Sequence, residues 1–224
     1  MAAKPVRIAG IALPQNEASQ LIVRWLDPRP GWQVLDACAA PGGKTAYIAS
    51  LVGADGAVTA LDSGRDAGAR VAAIAAAAGV SQRVHFHGVA VERFDIDARY
   101  DAVLVDAPCS GLGTLSEHPE IRWRRTPGDI ADLAARQRVI LAAAARGVRP
   151  GGRLVYSTCT LLGEENDAVV DDFLLHHPDF GNDPEPAGPE LAPVIDDDGR
   201  LRTLPHRDRM PGFFAARLRR ADAP

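Results

Sequence analysis

The sequence has no run of apolar residues approaching membrane-spanning length, and its N-terminus lacks the apolar core of a signal peptide. Neither a membrane span nor a secretory leader is expected. Charge of one sign is also lacking. The 25 Lys and Arg residues face 29 Asp and Glu, a net charge of −4, and the pI is near 5.9. No global basic field advertises nucleic acid. The three cysteines are an odd number spread along the chain, which excludes a disulfide framework and paired metal-ligand spacing. The expected setting is a reducing cytoplasm, with no metal site. Internal repeats, low-complexity tracts and the dinucleotide fingerprint Gly-x-Gly-x-x-Gly are missing as well.

What remains is the composition of a soluble globular chain: 224 residues, 46% hydrophobic and 24% charged. At that length one substantial core is expected. Residues 1–14 read as an extended segment and residues 15–224 as one domain, with no separate RNA-binding domain ahead of it. Asn16 can cap a helix with Ala18, Leu21, Ile22 and Trp25 on one face. Apolar runs predict strands at Gln33–Ala37, Val58–Leu61, Val84–His87, Tyr100–Val105 and Arg153–Ser157. Between them, helical spacing predicts a short helix ending before Gly53 and an Ala-rich helix over Arg65–Ala78. A long helix begins at Asp129, with Ile130, Leu133, Ala134, Gln137, Ile140, Leu141 and Ala144 on one face. A further helix lies near Glu164–His176. Residues 181–212 read as loop with a short strand at 193–195, and Phe213–Leu218 as a closing strand. Such alternation predicts an α/β fold with a mostly parallel sheet of about seven strands. Helices cover both faces, and the late strand is added antiparallel.

In such sheets ligands bind beyond the carboxyl ends of the strands. Asp36, Asp62, Asp106, Cys109 and Cys159 all fall at such ends. The run Asp36-Ala37-Cys38-Ala39-Ala40-Pro41-Gly42-Gly43-Lys44-Thr45 reads as strand end, tight turn and helix start. Its glycines allow a sharp turn close to a ligand. One reading is a phosphate loop, since Gly43-Lys44-Thr45 matches the end of that motif. The motif requires Gly where Cys38 stands, and Asp36 would repel a phosphate. The other reading is S-adenosyl-L-methionine, a cation without phosphate. Asp36 could then serve its charged end and Asp62 its ribose hydroxyls.

Cys109 follows the fourth strand in Asp106-Ala107-Pro108-Cys109-Ser110-Gly111. Cys159 follows the fifth in Ser157-Thr158-Cys159-Thr160. Neighbouring strands would bring both thiols to one cleft, and a thiolate is a good nucleophile. Spacing alone leaves open which thiol attacks. Cys38 reads as a small packing residue in the cofactor turn.

Residues Asp36–Thr45, Asp106–Gly113, Pro119-Glu120-Ile121-Arg122-Trp123 and Gly151–Thr160, followed by Glu164-Glu165-Asn166, resemble the RsmB/Sun-type RNA cytosine-5 methyltransferases. The resemblance runs from about Gly10 to Leu218. It implies a Rossmann-like class I methyltransferase fold and S-adenosyl-L-methionine in the turn from Cys38 through Ala39, Ala40, Pro41, Gly42 and Gly43 to Lys44, with Asp62 and Asp106. It also implies that Cys159 adds to carbon 6 of cytosine and that Cys109 assists release. Asp106 steadies the base, and Lys44 approaches the reaction centre. The target is RNA, ribosomal rather than transfer RNA, with Arg122, Trp123, Arg124 and Arg125 as candidate contacts.

The chain departs from the family pattern at three places. Val89 stands where an acidic residue usually meets the adenine, with Glu92 or His87 as candidate substitutes. Ser116 and Glu117 replace a basic pair, and Pro211 replaces an Asp before Gly212-Phe213-Phe214. Family members also carry an RNA-binding portion ahead of the catalytic domain. A separate partner or a missing N-terminal domain is therefore expected to help hold RNA. Further basic groups stand at Arg217, Arg219 and Arg220. A non-catalytic relative that binds cofactor or RNA, and a nucleotide triphosphatase, are the competing function classes.

Overall fold

The computed structural model describes residues 6–8, 11–13, 15–183, 185 and 188–222. Within the segment expected to be extended, β1 (Val6–Ile8) and β2 (Ile11–Leu13) pair antiparallel. Helix α1 (Glu17–Leu26) starts where the Asn16 side chain accepts the Ser19 N–H at 2.7 Å. Then follow β3 (Gln33–Asp36), α2 (Gly43–Leu51), β4 (Ala57–Leu61), α3 (Ala67–Ala77), β5 (Val84–His87) and β6 (Tyr100–Asp106). The chain continues with the single-turn helix α4 (Ile121–Arg124), α5 (Pro127–Ala145), β7 (Val148–Thr158) and α6 (Asp167–His176). It closes with β8 (Phe180–Asn182), β9 (Leu201–Thr203), the short α7 (Pro205–Asp208) and β10 (Phe213–Arg220).

The main sheet has the order β5-β4-β3-β6-β7-β10-β8, with β9 paired to β10. Strands β3 to β7 are parallel, and β10 runs antiparallel to β7, β8 and β9. Alternate residues of each strand enter two cores. Val34, Leu104 and Val155 pack under α1 and α2, whereas Leu35, Val103 and Tyr156 pack under α5 and α6. Both faces are thus dry, as the unbroken apolar strands predict.

Three expectations need correction. Residues 192–194 form a 3-10 turn, and the strand of that region lies at Leu201–Thr203, whose partner is β10. Strand β7 begins at Val148, before the Pro150-Gly151-Gly152 turn signal, and pairs with Tyr100 through an irregular register. Arg217 is buried rather than a surface group. Its Nε lies 3.2 Å from Asp183, which also holds Arg153 at 3.0 Å. Arg217 also stacks on Trp25, with its guanidinium 4.0 Å from the ring centroid. Among the described residues, no helix is long and apolar enough to cross a membrane. No group of three or more His, Cys, Asp or Glu in that set could hold a metal ion.

Candidate active site

The parallel topology sets the carboxyl ends of β3, β4, β6 and β7 side by side. The turn after β3 is tight because Gly42 has φ 118° and caps α2. A Cβ there would lie 2.9 Å from the Val71 Cα, so only glycine lets the turn lie on α3. Asp62, at the end of β4, fastens this turn. One carboxylate oxygen accepts the Ala40 N–H at 3.0 Å and the other the Gly64 N–H at 2.8 Å. Both oxygens keep further acceptor capacity.

A cavity of about 200 Å³ opens here, with Cys38, Ala40, Asp62, Glu92, Asp106 and Pro108 in its wall. A second cavity of about 550 Å³ shares Ser63, Ala90, Glu92 and Arg136 with it and adds Val89 and Val139. The carboxylates of the inner space suit a cation bearing hydroxyls, and the valines of the outer space suit an apolar ring. Val89 also packs against the core, and His87, tilted against Phe94 at 5.0 Å, lines neither cavity. Glu92 lines both.

Asp36 is buried; it lines not the cavity beside Asp62 but an adjoining one of about 210 Å³ that shares Cys38, Ala40 and Asp106 with it. The Thr45 hydroxyl donates to its Oδ2 at 2.7 Å, and Oδ1 has no partner among the described residues. Burial pushes its carboxyl up to about 6, against the Thr45 hydrogen bond. Lys44 lines that adjoining space beside Asp36 and Asp106. Its Nζ lies 2.6 Å from Asp106 Oδ2 and 3.2 Å from Ser19 Oγ, with the side chain only 14% exposed. The other Asp106 oxygen accepts from Ser157 Oγ at 2.8 Å. Lys44 is therefore a fixed member of the site and no solvated helix-start lysine.

The two thiols meet. Cys109 Sγ and Cys159 Sγ stand 3.2 Å apart. The Cys159 thiol is lowered from its ordinary range, chiefly by its hydrogen bond with Cys109, while burial and the Asp106 carboxylate oppose the shift and Lys44 supports it. Cys109 is pushed well up by the same hydrogen bond and by burial. The Cys159 N–H donates to Cys109 Sγ at 3.3 Å, which works the other way and is outweighed. The two thiols titrate as a coupled pair in which Cys159 is the more acidic member and Cys109 the less acidic one. Burial and the surrounding carboxylates push the Cys38 thiol far up, consistent with packing.

A buried network positions both thiol turns. The Glu165 Oε1 accepts the Ser110 N–H at 2.9 Å and Gln137 Nε2 at 2.9 Å. Gln137 also donates to the Pro108 carbonyl at 2.9 Å. Asn166 accepts from Thr158 at 2.5 Å and donates to the Thr160 carbonyl at 3.1 Å. The roles of Gln137 and Glu165 were not assigned from sequence. The available signal was a polar residue on the apolar face of α5. Of the candidate RNA contacts, Trp123 is 84% exposed and Arg122 and Arg124 flank it on α4. Arg125 turns back, donating to the Ser110 carbonyl at 3.0 Å. Ser116 and Glu117 are exposed, and the Pro211 carbonyl accepts from Thr203 at 2.6 Å.

Comparison with known proteins gives consistent matches. Residues 23–219 match the family model for the 16S rRNA methyltransferase RsmB/F. A curated relative from Thermus thermophilus, ribosomal RNA small subunit methyltransferase B, is 41% identical over 213 residues, covering 94% of this chain and 50% of that protein. The chain spans about half the length of the curated relatives it matches. Among solved structures, NSun6 from Pyrococcus horikoshii with SFG superposes with TM-score 0.79 at 30% identity, over 94% of this chain and 53% of that one. A methyltransferase homolog protein from the same organism gives TM-score 0.75 at 32% identity, over 92% and 67%. The sheet is thereby of the Rossmann-like methyltransferase type.

Proposed function

Because the chain belongs to the RsmB/F family of 16S rRNA methyltransferases, we propose that it is the catalytic part of an RNA cytosine-5 methyltransferase. The observation that carries this reading is the pair of unequal thiols beside the Lys44–Asp106 ion pair. The chemistry needs one cysteine as thiolate and a second as a proton carrier. Bound in the cleft between Asp62 and Asp106, S-adenosyl-L-methionine supplies an electrophilic methyl group. The inner carboxylates fit its cationic end and ribose. Glu92 lines the outer cavity with Val89 and takes the place of the acidic residue missing there.

The Cys159 thiolate adds to carbon 6 of an unstacked cytosine, forming a sulfur–carbon bond. The electrons of the C5–C6 double bond become available at carbon 5, which accepts the methyl group. Asp106, fixed by Lys44 and Ser157, faces the ring and steadies the proton at N3 as charge develops. Loss of the carbon 5 proton then re-forms the double bond and expels Cys159 as thiolate. Cys109 is the group that assists this step and the release of product.

The relative's name points to small-subunit ribosomal RNA, and ribosomal RNA is the substrate we assign. A separate RNA-binding partner or a further RNA-binding portion completes recognition. A triphosphatase fits poorly, since Cys38 replaces the loop glycine and three carboxylates line the cavity. The non-catalytic alternative rests on Val89 and on the missing basic pair at Ser116 and Glu117; Glu92 supplies a carboxylate in the same cavity as Val89. The test is methyl transfer from labelled cofactor to small-subunit ribosomal RNA, with bisulfite mapping of the product. Transfer to a cytosine, lost in Cys159→Ala, supports the reading. Cofactor binding without transfer would favour the non-catalytic relative.

A further inference from the structure

A further cavity, of about 440 Å³, lies against the Cys109 loop and shares no lining residue with the cofactor-side cavities. That size is within the ~300–1,000 Å³ of sites that hold small organic groups. Its floor is apolar: Leu112, Leu115, Ile130 and Leu162, all half-buried. Arg122 and Arg125 stand in its wall against a single carboxylate, Glu164.

Its walls come from the segments that carry the thiols. After β6 the chain passes Asp106 and Pro108 in the cofactor cavity, then Cys109, then Leu112 and Leu115 in the groove. After β7 it passes Cys159, then Leu162. The two loops are tied together, because the Gly113 N–H donates to the Cys159 carbonyl at 2.9 Å. Arg125 donates to the Ser110 carbonyl at 3.0 Å and the Cys109 carbonyl at 3.4 Å, and keeps further donors. Arg122 makes no side-chain hydrogen bond or ion pair among the described residues. The Cys109 loop therefore runs from a carboxylate-lined cavity at Pro108 to an apolar one at Leu112, whose Arg125 holds the Cys109 carbonyl.

We propose that this groove holds the base of a nucleotide next to the target cytosine, with Arg122 and Arg125 on the adjoining phosphate. The assignment rests on the reading of the chain as an RNA methyltransferase. A strand crossing the thiols has to continue past the cofactor cavity, and the groove lies against the Cys109 loop, whose carbonyl Arg125 holds at 3.4 Å. An unstacked base offers an apolar face to the leucines, and the phosphates match the arginines. A second copy of the chain or a protein segment is the competing occupant, and the arginine pair favours the polyanion.

The test uses the full chain and short single-stranded RNAs with one central cytosine. An abasic nucleotide is placed in turn at each flanking position, and binding is read by fluorescence anisotropy. For the wild type, one flanking position is expected to weaken binding at least about fivefold when its base is removed, the lower end of base-stacking losses. Leu115→Ala and Ile130→Ala should weaken binding of intact RNA by a similar factor, while Leu175→Ala, at an exposed site on α6, should not. In Leu115→Ala the abasic substitution should cost nothing further. The proposal is overturned if no flanking base matters, or if the two losses multiply. It is also overturned if the variants change only the oligomeric state. Calorimetric cofactor binding and methyl transfer by the wild type separate the outcomes. If they persist while the groove shows no base dependence, the subsite alone fails; if the wild type neither binds nor methylates RNA, the underlying reading fails with it.

Discussion

Cys109 Sγ and Cys159 Sγ stand 3.2 Å apart, and their contact lowers the Cys159 thiol while raising that of Cys109. Lys44 lowers Cys159 as well. Alkylation by iodoacetamide should therefore label Cys159 first, with a pH midpoint below that of an ordinary thiol. Cys109→Ala removes the donor and should move that midpoint upward, whereas Cys109→Ser, which keeps a hydroxyl donor, should move it less. With RNA and cofactor present, Cys109→Ala should also accumulate a covalent protein–RNA complex, visible on a denaturing gel. Preferential labelling of Cys109 would contradict the assignment.

Lys44 holds Asp106 at 2.6 Å while it is itself largely buried. Lys44→Met leaves Asp106 without its cation and removes one of the influences that lower Cys159. The expected result is a loss in kcat on the order of 10²-fold, the scale for removing one preorganised electrostatic group. The Cys159 alkylation midpoint should rise in parallel, and the KM for RNA should change little. Unchanged kcat would place Lys44 outside the chemistry.

Asp36 carries a pH-dependent cost. Its carboxyl is raised from 3.8 to about 6 by burial. A raised acid contributes stability below its unfolded value, near pH 4, and loses that contribution as pH rises through about 6. Relative to Asp36→Asn, the wild type should lose about 3 kcal/mol across that window and then level off. Urea unfolding of both proteins at several pH values measures the difference. A difference that stays constant with pH would show that Asp36 titrates normally.

Gly113 fits under Gly212, whose N–H donates to the Gly113 carbonyl at 2.8 Å. A Cβ at Gly113 would lie 2.0 Å from the Gly212 oxygen and 2.9 Å from the Cys159 oxygen. Gly113→Ala must push the Cys159 loop aside, with a cost of ~1–3 kcal/mol typical of overpacking. Turnover should fall by more than the stability loss explains, while calorimetric cofactor affinity is retained. Loss of cofactor affinity of equal size would indicate general unfolding.

The parts of the fold that were legible in the sequence are those where one period dominates. The inner parallel strands are apolar runs because both their faces are buried, as in β6, whereas the edge strand β5, Val84–His87, is bounded by its alternation. The turn between β3 and α2 and both cysteine turns are legible because glycine, proline and acidic residues punctuate strand ends. Strand β9 is not, since Leu201–Thr203 is three residues held by its partner β10 rather than by a pattern of its own. Arg217 was misread because its burial depends on Asp183 and Trp25, both distant in sequence. The inequality of the two thiols is likewise a tertiary property. It depends on Cys109 and Lys44 flanking Cys159, which no spacing encodes. Gln137 was visible as an oddity on the α5 face, but its partners Pro108 and Glu165 become evident only when α5 lies on the sheet.

The most direct test of the account uses RNA carrying 5-fluorocytosine at the target. Fluorine at carbon 5 cannot leave as a cation, so the bond from sulfur to carbon 6 cannot be released by elimination after methyl transfer. With cofactor present, mass spectrometry of the digested complex should find the methylated nucleotide on the peptide containing Cys159. Cys159→Ala should give no conjugate. A conjugate on Cys109, or none from the wild type under conditions where ordinary RNA is methylated, would contradict the assignment of Cys159 as nucleophile.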